Sequence, residues 1–154
     1  MAFVSTIDVI GSGFTAQQQR LDIISENIVN MNTTRTENGE GPYRRKVVVF
    51  EAEQRVGRFQ EVLDQARYRR LGLRPTQTRG GVRVTEINED PSDFKLKFDP
   101  DDPDANEDGY VELPNVDLVK EITDGMAASQ AYNANVTAFN LMKNVISKGL
   151  EIGK

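Results

Sequence analysis

One run of side chains has the types and spacing of a chemical site: Asp104-Ala105-Asn106-Glu107-Asp108-Gly109. It follows the opening of a calcium loop, D-x-[DN]-x-[DN]-G, in which alternate oxygens converge on the cation and glycine makes the bend. Asp104, Asn106 and Asp108 would be the ligands. Glu112 falls at the ninth position, but the twelfth, where a bidentate Glu belongs, is Asn115. Asp99-Pro100-Asp101-Asp102-Pro103 also forbids the helix that should enter such a loop. The same composition makes a tight acidic turn for backbone reasons alone. A second candidate runs from Glu53 to Arg83, where eight arginines and no lysine meet three acids, a net of +5. Guanidinium groups at that density could hold phosphates or another polyanion. Only Phe59 and Tyr68 interleave them, too few for a base-stacking platform, and the whole chain carries −5, so nucleic acid is not the expected partner. The chain has no cysteine and no histidine. That removes thiolate sites, disulfides, the commonest general base and every Ser-His or Cys-His nucleophile. Paired carboxylates would need a cleft, which nothing in the chain signals. Neither an enzyme nor a cofactor is expected.

The elements that would position these residues are two long amphipathic ends around a different middle. Near the N-terminus Phe3, Ile7, Ile10, Phe14, Leu21, Ile24, Ile28 and Met31 repeat at alternating steps of four and three, with Gln17 filling the gap. That is a heptad stripe. Gly11 and Gly13 weaken it by about 1 kcal/mol each relative to Ala. From Asn115 to Lys154 a second stripe passes through Val119, Ile122, Met126, Tyr132, Val136, Phe139, Ile146 and Leu150. It predicts a helix of roughly 35 residues and ~50 Å, long enough to need a partner of similar length. Periodicity is satisfied equally by a core helix of a small bundle and by a coiled coil, formed between the two ends or with other copies.

Between the ends, Thr33–Gly41 reads as a polar loop. Four short strands follow, at 42–51, 82–87, 94–98 and 109–113, each marked by β-branched or alternating residues. The arginine-rich stretch, about 53–80, separates the first two and carries one helical turn at Phe59, Val62, Leu63 and Ala66. From Val84 to Glu112 eleven acids meet two lysines, a net of −9. The expected fold is α+β: two terminal helices forming a coiled coil (1–32 and 114–154) and a small β-rich middle (33–113). No window holds the eighteen apolar residues of a membrane span. No basic residue precedes Arg20, so the charged start of a cleavable signal peptide is lacking.

Ser25-Glu26-Asn27-Ile28-Val29-Asn30-Met31-Asn32-Thr33 resembles the "ANNIANANT" signature of bacterial flagellar rod and hook proteins, with Asn27, Ile28, Asn30, Asn32 and Thr33 carrying the match. Ser25 and Glu26 depart from it. Asp90-Pro91-Ser92, Phe98-Asp99-Pro100, Asp104-Ala105-Asn106, Gly109-Tyr110-Val111, Leu113-Pro114-Asn115-Val116-Asp117, Ala131-Tyr132-Asn133-Ala134-Asn135-Val136 and Leu150-Glu151-Ile152-Gly153-Lys154 look like a proximal-rod member of that family. The arginine-rich stretch is a longer insert than the family pattern carries, so no role is inherited for it. The resemblance implies a structural subunit of the basal-body rod, the hollow periplasmic shaft that transmits torque and passes exported subunits. Its helices would pack into the tube's inner layer. The implied partners are copies of itself, other rod proteins, the proteins where the MS ring and export gate meet the rod base, and the flagellar type III export apparatus. The two stripes above would be the assembly interface. A calcium-binding or polyanion-binding module of the cell envelope is the alternative.

Overall fold

The apolar periodicity at both ends becomes two helices laid side by side, with the middle of the chain folded against one of them. A computed structural model describes residues 2–36, 41–54, 63, 66, 70 and 79–152, with the side chains of all but 2–5, 54, 79 and 152. Helix α1 runs Ala2–Val29 and helix α2 Leu118–Ile152, 28 and 35 residues. Between them lie β1 (Lys46–Gln54), β2 (Arg79–Glu89), β3 (Lys95–Phe98) and β4 (Tyr110–Leu113). The α+β reading holds, and all four strands overlap the expected runs, although β1 begins at Lys46 rather than at 42 and β2 extends over Arg79–Glu89 rather than 82–87. Phe3 and most of the arginine-rich stretch lie outside the described side chains. Within that stretch Leu63, Ala66 and Arg70 are helical and exposed.

Local chemistry sets the helix ends. Asp117 caps α2: its carboxylate accepts from the Val119 amide at 2.9 Å and the Lys120 amide at 3.4 Å, satisfying first-turn donors with an anion at the positive end of the helix. At the far end of α1, Asn30 donates its side-chain amide to the Glu26 carbonyl at 2.9 Å, and Thr33 donates its hydroxyl to the Asn30 side chain at 3.2 Å. The asparagines that weaken helix propensity here thus terminate the helix.

The strands form two separate antiparallel ribbons, β1 with β2 and β3 with β4. In the first, Lys46 lies opposite Glu89 and Val48 opposite Ile87, with register shifts between Val49 and Phe50 and between Ala52 and Gln54. Helix α1 is shared between α2 and the first ribbon. On the ribbon side, Ser12 Oγ accepts from the Val82 amide at 3.0 Å. Gly81 crosses directly over it with φ 118°, and a Cβ there would come within 2.3 Å of Ser12 Oγ. Only glycine fits. On the other side α1 and α2 run antiparallel: Asn27 meets Glu121, and Phe14 meets Tyr132 and Phe139 edge-on with ring centroids 5.2 and 6.2 Å apart. Gly13 lies so close to α2 that a Cβ would stand 2.9 Å from the Asn135 amide nitrogen.

The seam on α2 is therefore displaced from its large apolar residues. Glu121 and Ala128 are fully buried, whereas Val119 is 74%, Ile122 49%, Met126 62% and Leu150 71% exposed. Tyr132, Val136 and Ile146 are half-buried, and Phe139 keeps its contact with Phe14 while remaining 38% exposed. Close approach of two helices selects small residues at the contact, here Gly13, Gly125 and Ala128, and turns the bulkier stripe outward. On α1, Ile24 is buried, and Ile7, Ile10, Phe14, Leu21, Ile28 and Met31 are half-buried. The helices pack side by side.

Candidate assembly surface and its polar junction

Where the end of α1, the start of β1 and the start of α2 converge, the interior is polar. Asn27, fully buried, directs its side chain at the main chain of Lys46: its Oδ1 accepts from the Lys46 amide and its Nδ2 donates to the Lys46 carbonyl, both at 2.9 Å. The amide thereby imitates a neighbouring strand at the first residue of β1. The same Oδ1 accepts from the Tyr43 hydroxyl at 2.9 Å, and Nδ2 also donates to Glu121 Oε2 at 3.1 Å. Every hydrogen-bonding group of this amide has a partner, as burial demands.

Glu121 has no exposed surface, and its other oxygen accepts from Arg45 Nε at 2.6 Å. The Arg45 guanidinium spans further to Asp90 at 3.3 Å and Asp124 at 3.4 Å. Its main-chain amide donates to Asn115 Oδ1 at 2.7 Å. Asn115 Nδ2 in turn reaches the carbonyls of Asp90 and Ser92, both at 3.1 Å, and Ser92 Oγ at 2.9 Å. Arg44 lies over the Phe94 ring at 4.3 Å and donates to the same two carbonyls. One buried network thus joins both helices to the strand-to-strand connections. Burial disfavours the charged guanidinium of Arg45, and the hydrogen bond and charge of Glu121 outweigh it, so its pKa is raised. Burial, then the charges of Glu26 and Glu121, push the Tyr43 hydroxyl well above its usual range, so it stays a neutral donor. The Ser92 amide, followed by the Ser92 hydroxyl and Arg45, holds the Asp90 carboxyl below its ordinary value.

Arg45, Glu121 and Tyr43 were not singled out from the sequence. The available signal was weak: a lone acid in the first turn of a helix, and an arginine just before a strand. Asn27 and Asn115 did stand within quoted motifs, without any indication that they share one network. Asn32 is exposed and Ile28 half-buried, while Asn30 and Thr33 make the cap described above.

The acidic loop is a turn held by its own chain. Asp104 accepts from the Thr34 hydroxyl at 2.7 Å and is paired with Arg35. The Thr34 bond, with Arg35, lowers its pKa. Asn106 Oδ1 accepts from the amides of Asp108 at 3.1 Å and Tyr110 at 2.9 Å. Two of the three would-be ligands, Asp104 and Asn106, are therefore engaged by the Thr34 hydroxyl, by Arg35 and by backbone donors. Among the described residues no group of three or more acidic or thiol side chains is disposed to hold a metal. No helix among them is long and apolar enough to cross a membrane.

What the described surface does offer is apolar area on α2. Leu118, Val119, Ile122 and Met126 share one side of its first turns, away from Glu121 and Ala128, and Leu141 and Val145 are exposed farther along. Apolar side chains grouped in this way are of the kind buried in protein–protein, ligand or membrane contacts.

Two family descriptions match the chain at its ends: "Flagella basal body rod protein" over residues 7–35 and "Flagellar basal body rod FlgEFG protein C-terminal" over residues 107–152. Among curated relatives, the flagellar basal-body rod protein FlgC of Bacillus subtilis is 43% identical over 158 residues, covering all of both chains. The protein of that name from Borreliella burgdorferi is 42% identical over 161 residues, covering 99% of this chain and 98% of the relative. That of Escherichia coli O6:H1 is 34% identical over 154 residues and covers both chains fully.

Proposed function

The chain belongs to the family of flagellar basal-body rod proteins, and on that premise we propose that it builds the proximal part of the rod by packing its terminal helices against neighbours. It is a structural subunit of the basal body, acting through contacts rather than catalysis. In this reading residues 1–32 and 114–154 form the shaft-building part and 33–113 the part facing outward. Subunits reach the periplasm by flagellar type III export and stack into a hollow helical shaft that carries torque and passes later subunits. The neighbours are copies of itself, other rod proteins and, at the rod base, the proteins of the MS-ring and export-gate junction. Contacts that repeat head-to-tail without closing generate such a shaft.

The observation that carries the assembly reading is one-sided burial. A 35-residue helix has α1 against one face and Val119, Ile122 and Met126 bare on another. The half-buried stripe of α1, from Ile7 through Ile10, Phe14, Leu21 and Ile28 to Met31, stands beside it with room for further apolar cover.

The test separates assembly from folding. Met126→Asp and Ile122→Asp place a carboxylate on the bare face, where the lone chain can hydrate it. Their unfolding midpoints should stay within about 0.5 kcal/mol of the parent. Burial of that carboxylate in a shaft contact would cost several kcal/mol. Both variants should thus fail to restore swimming and be absent from purified basal bodies. Normal swimming and normal incorporation would overturn the assignment of this face.

A further inference from the structure

Among the described residues the outer edges of β1 and β3 carry no further strand, and their chemistry matches. Because the amide and carbonyl of Lys46 both point to Asn27, away from β2, alternation along the strand turns the main-chain groups of Val48, Phe50 and Ala52 outward as well. The Thr85 hydroxyl on the Val49 carbonyl, facing β2, fits the same alternation. Among the described residues nothing pairs with this edge beyond Lys46. Val48 and Phe50 line, with Arg20, Ile23 and Ile24, a crevice of about 270 Å³ beside it. The strand Lys46–Gln54 carries no proline, one of the devices that keep an edge from pairing.

The second edge belongs to β3. The Asp99 amide donates to the Gly109 carbonyl at 2.9 Å, continuing the β3–β4 ladder. Lys97 and Lys95 therefore face β4 with their main chain, and Leu96 and Phe98 face outward. Their side chains are 64% and 63% exposed.

We propose that β3 of a second copy adds to the open edge of β1, antiparallel, with Phe98 opposite Phe50 and Leu96 opposite Ala52. This rests on the rod-subunit reading and names one of its contacts. Parity and charge support that occupant together. Residues directly opposite share a face, so Leu96 and Phe98 join Phe50 on the crevice side. Lys97 and Lys95 then fall opposite Glu51 and Glu53 on the other. Glu51 pairs with Arg83 and Lys97 with Asp99 in exposed pairs, at 3.1 and 2.9 Å, and such pairs exchange readily. Lys95, by contrast, donates to the Val116 carbonyl at 2.6 Å and would have to leave it. The contact joins two different edges, so it propagates from copy to copy rather than closing a dimer.

The chain has no cysteine, which makes the test direct. Glu51 and Lys97 would form a non-hydrogen-bonded pair, the geometry with the closest Cα approach and within disulfide reach. Cells producing both Glu51→Cys and Lys97→Cys chains should yield, on mild oxidation of purified basal bodies, a crosslinked dimer at least tenfold above either variant alone. Adding Ala52→Pro, which removes only an outward amide, should abolish that crosslink, and Ala52→Ser should keep it. Presence of the wild-type chain in basal bodies tests the rod-subunit reading separately. Both cysteine variants incorporated without a crosslink, or a crosslink to a different rod protein instead, would overturn strand addition alone. If the cysteine variants do not incorporate, the charge-exchanged chain Lys97→Glu/Glu51→Lys decides: incorporation with loss in each single exchange supports the pairing, and any other pattern refutes it.

Discussion

Removing the Glu121 carboxylate should be the most damaging single truncation at the helix junction. In Glu121→Ala the Arg45 guanidinium, only 10% exposed, keeps Asp90 and Asp124 at 3.3 and 3.4 Å and loses its short 2.6 Å bond. Asn27 Nδ2 loses one of its two acceptors, and the Lys46 carbonyl remains its only one. Breaking a buried pair by deleting one partner costs about 3–5 kcal/mol, because the other charge stays buried. Domains of this size shift by roughly 2–4 °C per kcal/mol, so the melting midpoint should fall by roughly 6–20 °C. Glu51→Ala is the matched control, since its pair with Arg83 is exposed on both sides and worth at most about 1 kcal/mol. Thermal and urea unfolding of the full chain, followed by circular dichroism, reads both. The double variant Arg45→Met/Glu121→Leu should recover part of the loss, since it leaves no fully buried charge, and Asp90 and Asp124, which lose Arg45, are 22% and 35% exposed and can hydrate. If Glu121→Ala falls no further than Glu51→Ala, or the double variant is as unstable as the sum of its singles, the buried-pair reasoning is wrong.

Three other outcomes follow from the same geometry. Gly11 has open space where a Cβ would go and Gly13 has Asn135 at 2.9 Å, so Gly11→Ala should stabilise the isolated chain by up to about 1 kcal/mol while Gly13→Ala gains nothing or loses; equal gains in urea midpoints would contradict the close contact. Asp90 and Asp104 titrate lower in the folded chain than unfolded, so their contribution is full above the ordinary carboxylate value of about 3.9 and is lost as pH falls through the lower folded values. The melting midpoint should therefore drop most steeply below about pH 4, with a shallower acid limb in Asp90→Asn, and an unchanged limb would remove Asp90 as a cause. Finally, calcium at millimolar concentration should leave the melting midpoint within about 1 °C of the metal-free value, because a ligand that bound the folded state well below that concentration would raise it by several degrees.

Element type and order were legible from pattern alone. Heptad spacing marked both helices, and β-branched or alternating runs marked all four strands, because side-chain periods of 3.6 and 2 are properties of the chain itself. Chain punctuation was less so: the sequence opened the second helix at Asn115, whereas it begins at Leu118 with Asp117 as its cap. Yet this cap and the asparagines at the end of α1 act only through neighbours two to four residues away. The order of motifs pointed to the rod family without any knowledge of packing.

Which face meets which was decided only by the tertiary structure. Apolar counting left open whether Val119, Ile122 and Met126 meet the other end of the chain or other copies; the seam with α1 is made by Glu121, Gly125 and Ala128. A residue such as Glu121 reads as surface in any local window. It is buried because Arg45, 76 residues away, and Asn27, 94 away, arrive at its two oxygens. The calcium-like loop is the converse case. Its acids were arranged as ligands along the chain, and Arg35, 69 positions upstream, reaches Asp104 first. Short-range rules describe what a segment can form by itself. Whether a charge is neutralised, or an apolar stripe covered, depends on groups that only the folded chain brings within a few ångströms, where Coulomb and packing energies act.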